Sequence, residues 1–132
     1  MGGIKNGRKT NVGSNKKFEL STISMEYNGV TLYRIRALVN IPLHDVEAGD
    51  YGGWVQYERN LSPRGSCWIG GDAIVYGRAM VSGDALVGEL AVVADWGRVS
   101  ESAKALGDTV ICEYGHVAGK GIYYTGIIRG SL

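Results

Sequence analysis

Proline is nearly absent from this chain, with two residues, and phenylalanine occurs once. Cysteine and histidine are also limited to two residues each. Two cysteines make no disulfide framework and fit reduced, unpaired thiols. Two histidines fall short of the three imidazoles of a hydratase-type zinc centre, so no metal is expected. No run approaches the ~18 apolar residues of a membrane span, and the N-terminus lacks the apolar stretch of a signal peptide. The expected location is therefore the cytoplasm. A formal net charge of +1 offers no whole-chain field to a nucleic acid or an acidic surface. The spacings of phosphate-binding glycine loops are missing as well.

Glycine is what the chain has in excess, with 21 of 132 residues. Without proline, that marks a chain that turns often and tightly rather than a disordered linker. An apolar content of 45% against a charged content of 20% supports one packed domain. Residues 1–17 carry Lys5, Arg8, Lys9, Lys16 and Lys17 with no acid. They read as a disordered basic leader, the one segment suited to touching phosphate.

The stretch GDAIVYGRAMVSGDALVG, residues 71–88, repeats itself every six residues. Counting by six from Cys67 gives Ala73, Ala79, Ala85, Ala91, Gly97, Ala103, Thr109, Gly115 and Gly121, all small. Counting from Ile69 gives Val75, Val81, Val87, Val93, Val99, Ala105, Ile111 and Val117, all aliphatic. Neither a helix nor a flat strand has a period of six. One wall and one corner of a triangular coil do. The aliphatic residue fills the interior at mid-wall, and the small one points inward where walls converge. Three walls make an 18-residue coil, and coils stack as parallel strands about 4.8 Å apart. The expected fold is all-β: a left-handed parallel β-helix of about three coils over residues 67–121, with an N-terminal β-hairpin cap.

The same arithmetic sorts the outside. Wall two presents Ile74, Tyr76, Val92, Ala94, Val110 and Cys112, with no charge. An apolar wall needs a cover, and the expected one is a second and third copy of the chain in a homotrimer. The alternative cover is residues 18–60 of the same chain. Wall three presents Met80, Arg98 and His116 beside a corner column of Arg78, Trp96 and Tyr114. These six form the expected binding face, since arginine and aromatic residues are favoured at interfaces. Cys67 points inward and Cys112 outward, which keeps them unpaired.

Residues 18–66 read as the cap. Asn28-Gly29 signals a hairpin, 39–49 a loop, and Gly52-Gly53 a tight turn before the Trp54 anchor. Residues 122–132 read as a C-terminal cap or a segment exchanged between subunits. The elements YRIRAL, VEAGDYGGWV, NLS and GSCWIGGDA together resemble the YdcK-like hexapeptide-repeat proteins of bacteria and their prophages. The likeness is close over residues 30–90. It implies a left-handed β-helix in a phage or prophage setting and brings no settled activity.

Two functions compete. One is an acyl-CoA-dependent acyltransferase with His116 as base, although the unbroken six-residue register extrudes no loop to wall an active site. The other is a non-catalytic scaffold that contacts another protein, as a virion accessory or an inhibitor of a host defence complex. The second reading is preferred, with no cofactor and no metal. Asp72, Asp84, Asp95 and Asp108 could suggest calcium, but single carboxylates at separate corners fit turn capping.

Overall fold

A computed structural model describes residues 16–131 and is all-β. Among the described residues, the only helical turns are short 3-10 segments at Pro42–His44 and Glu58–Asn60. No helix among them is long and apolar enough to cross a membrane. Residues 1–15 of the expected leader lie outside the described residues.

The hexads fold into a left-handed parallel β-helix of about four coils. Two-residue strands follow one another every six residues: β4 (Trp68–Ile69), β5 (Ile74–Val75), β6 (Met80–Val81), β7 (Leu86–Val87), β8 (Val92–Val93), β9 (Arg98–Val99), β10 (Lys104–Ala105), β11 (Val110–Ile111), β12 (His116–Val117) and β13 (Ile122–Tyr123). Each pairs in parallel with the strand one coil away, as in Ile74↔Val92, Arg98↔His116 and Lys104↔Leu86. The second residue of each pair points inward. Ile69, Val75, Val81, Val87, Val93, Val99, Ala105 and Ile111 are fully buried, and Val117 is 5% exposed. Burying these aliphatic columns is the main term holding the tube together, at roughly 25 cal/mol per Å².

Each corner turns through a left-handed residue. Glycine fills that place at 71, 77, 83, 107 and 119, but Glu89, Asp95, Glu101 and Glu113 fill the rest, with φ of 55–58°. Three of these acids have a local compensation. Glu89, Asp95 and Glu101 accept the backbone N–H of Gly107, Glu113 and Gly119, each at 2.7 Å. Asp84 likewise caps Ser66 N–H, and Asp72 pairs with Arg34. No trio of potential metal ligands occurs among the described residues.

The β-helix starts earlier than the repeat suggested. A hairpin, β1 (Phe18–Tyr27) and β2 (Val30–Ala37), turns at Asn28-Gly29 as expected. It continues antiparallel into β3 (Tyr51–Val55), which pairs in parallel with β5. Val55 therefore stacks on Val75, and Leu61 bridges to Val81. Val55 and Leu61 are themselves six apart, but each sits 20 residues from its partner below rather than 18. The two extra residues fall in the loop at 62–66 and break the count. The expected boundary at residue 67 moves accordingly. Gly52-Gly53 is strand rather than turn: a Cβ on Gly52 would meet Trp68 at 2.7 Å, and one on Gly53 would meet Ile69 at 2.7 Å. The glycines let β3 lie close against the first complete coil.

The other end also differs from expectation. Residues 122–128 begin a fourth coil, with β14 (Ile127–Ile128) pairing with β11 one residue short of a full turn. Within the single chain they stack on the coil before them. Lys17, assigned to the leader, is 5% exposed and closes the N-terminal mouth. Its ammonium donates to the carbonyls of Arg64, Gly65 and Cys67 at 3.2, 3.3 and 2.9 Å. It also lies 3.2 Å from Cys67 Sγ. Burial pushes the Cys67 thiol pKa up, against the pull of that ammonium. Both cysteines are free.

One interior polar group stands out. Thr109, the single hydroxyl in the small register, is buried, and its Oγ1 has no hydrogen-bond partner among the described residues. Thr109→Val keeps the shape and removes the orphaned hydroxyl. It is expected to raise unfolding stability by about 1 kcal/mol, measured by chemical denaturation. A loss of stability would contradict the orphan assignment.

Candidate binding groove

Coil stacking collects six side chains from three successive turns into a two-by-three array. The corner column is Arg78, Trp96 and Tyr114, and the wall column is Met80, Arg98 and His116, with Arg98 in register between Met80 and His116. All six of the expected contact residues line one open groove of about 560 Å³, and among the described residues they alone line it. The frame beneath them is stiff. Arg78 N–H donates to Asp95 O at 2.8 Å, Trp96 N–H to Glu113 O at 2.9 Å, and Arg98 N–H to Gly115 O at 2.9 Å. The small residues of the register keep the wall close to the core: a Cβ on Gly97 would meet Val93 at 2.9 Å.

The aromatic groups are arranged rather than scattered. Trp96 and Tyr114 stack with ring centroids 5.1 Å apart and planes 19° from parallel. The Arg78 guanidinium lies 5.6 Å from the Trp96 ring centre. Yet Trp96 remains 46% exposed and Tyr114 38%. His116 shares a 2.8 Å hydrogen bond with Ser100. Charge is one-sided. Among the described residues neither Arg78 nor Arg98 has an ion-pair partner, whereas Arg34, Arg36 and Arg129 each do. The nearest corner acids are engaged elsewhere, Asp95 with Glu113 N–H and Glu113 with Arg129 at 3.6 Å.

The residues expected to join subunits occupy two outward columns of one sheet, Ile74/Val92/Val110 and Tyr76/Ala94/Cys112. The hairpin already covers the upper part of this wall. Leu32, Trp54 and Ile74 form a second small core, with Met25, Tyr27, Val30, Tyr76 and Val92 packed against it. Tyr27 meets Tyr76 edge-on at 5.5 Å, and Arg34 lies over Trp54 at 4.4 Å. The chain thus supplies part of the cover itself.

A second groove, also about 560 Å³, runs between wall one and the 3-10 segment. Sequence reading missed it. Its only signal was the pair of outward glycines, Gly70 and Gly88, which leave that wall bare. His44 lies on its rim, with Nε2 2.9 Å from the Asp84 carbonyl, and burial holds its imidazole below the ordinary 6.5.

No protein-family model matches the chain, and no curated protein is similar to it in sequence. Fold and groove together define the class: a short β-helix with a cationic, aromatic groove on one wall.

Proposed function

We propose that the protein is a non-catalytic binding scaffold of the phage or prophage hexapeptide type, acting by contact with another protein. The observation that carries this is the groove on wall three. Two arginines, a tryptophan, a tyrosine, a methionine and a histidine stand there on a rigid backbone, solvent-facing and without an acid among them. That composition matches the residues that dominate protein interfaces. In a phage setting such a scaffold serves as a virion accessory or occupies a host defence complex. Self-association through wall two belongs to the same proposal, now confined to Val110 and Cys112, outside the second small core.

The acyltransferase reading draws on the bond between His116 and Ser100. Against it, every connection between β4 and β13 is equally short, so none of them extends as a loop over the imidazole. Acetyl- or succinyl-CoA is expected to leave the melting temperature unchanged, where a ligand at a hundredfold its Kd would add about 2.7 kcal/mol. Affinity capture from a bacterial lysate should return a protein with the wild type and lose it with the Trp96→Ala/Arg98→Ala variant, whose exposed substitutions spare the fold. A CoA-dependent shift, or equal capture by both baits, would overturn the reading.

A further inference from the structure

The array on wall three is ordered as well as composed. Arg78 and Met80 belong to one coil, Trp96 and Arg98 to the next, Tyr114 and His116 to the third. Arg78 and Arg98 thus occupy one diagonal of the upper four positions, with the Arg78 guanidinium over the Trp96 ring, and the apolar Met80 and Trp96 occupy the other. An anion seated at the centre of that square would face both cations and have an apolar group on either side. Among the described residues no acid forms an ion pair with either arginine.

We propose that the groove takes an Asp or Glu side chain carried on a short extended segment of a protein partner. The carboxylate sits between Arg78 and Arg98, and its apolar neighbour rests on Met80 and Trp96. This rests on the scaffold reading above and names the chemistry of its partner. The three rungs span about 10 Å, which an extended chain rising about 3.3 Å per residue crosses in about three residues. Guanidinium forks match carboxylate geometry, and they gain strength where flanking apolar groups exclude water. The ring faces argue for protein over single-stranded nucleic acid. Non-specific strand binding needs open aromatic faces for bases to stack on. Trp96 has one face against Tyr114 and the other beneath Arg78. What it offers a ligand is its edge.

The probe is a displayed library of random linear peptides selected on the intact wild-type protein. Recovered peptides should be enriched in Asp or Glu beside an aliphatic or aromatic residue. Their affinity should fall by about tenfold or more with Arg78→Glu or Arg98→Glu, and Arg98→Lys should restore only part of it. All three variants should melt with the wild type, since the positions are exposed. Peptides lost on Trp96→Ala but not enriched in acids, or indifferent to either charge reversal, would overturn the inference and leave the scaffold reading standing. Binding of a polythymidine oligonucleotide in place of any peptide, abolished by Arg98→Glu, would overturn it in favour of nucleic acid. An empty selection beside a successful lysate capture would overturn the short-segment form of recognition. Failure of both the selection and the capture would take the scaffold reading down with it.

Discussion

Val93→Asp is expected to yield no folded protein. Val93 is fully buried and stacks in register between Val75 and Ile111, in the middle of the tube. Above and below it are aliphatic side chains, and across the corner lies Gly97. No donor faces the position, so a carboxylate there must either stay charged without partners or bind a proton and remain an orphaned polar group. Either state costs several kcal/mol, against a total stability of about 5–15 kcal/mol for a domain of ordinary size. Circular dichroism and solubility after expression are the measurements. A soluble variant that melts cooperatively would contradict the inward assignment of the whole column. Val110→Lys is the control, outward on the same wall and outside the second small core. It should fold, and light scattering should show any association through wall two weakened.

Asn60→Leu carries the second large effect. Asn60 is fully buried at the start of the tube, yet every polar atom of its side chain is used. Its Oδ1 accepts Tyr57 N–H at 2.7 Å, and its Nδ2 donates to Gly77 O at 3.2 Å and Ala79 O at 2.8 Å. One amide therefore ties the 3-10 turn at Glu58–Asn60 to the coil beneath it. Leucine has the same number of side-chain heavy atoms but is bulkier, and it leaves the buried Ala79 carbonyl and the partly buried Tyr57 N–H and Gly77 carbonyl unmatched. At about 1–3 kcal/mol for each such group, a loss of about 3 kcal/mol or more is expected. Thermal melting should fall by about 10–15 °C. A variant that melts with the wild type would show that the coil-to-coil tie is dispensable.

Between residues 67 and 121 the inside and outside of the tube were legible residue by residue, and so was the company of the six groove side chains. The reason is physical. A wall of fixed length admits one aliphatic and one small residue, and a polar substitute is costly enough that the pattern stays clean. Legibility ended where a second constraint entered. Val55 and Leu61 obey the same rule, but the two extra residues at 62–66 shift their phase against the next coil. Glu89 and Glu101 occupy left-handed corners that suggest glycine, and only a contact to the next coil, 18 residues away, shows what compensates them. Gly52-Gly53 carries a turn signature, and only packing against Trp68 and Ile69 shows its actual use. Lys17 could not be placed from its neighbours in the chain, because its partners are the loop carbonyls at 64–67.

The twofold array on wall three has a consequence for how such a surface changes over time. Each coil contributes one pair of side chains to it and takes its own support from the coils on either side. Duplicating or deleting a single coil would lengthen or shorten the contact face by one pair and leave the others in place. A partner that drifts in length could be followed in steps of one repeat, with no redesign of the interior.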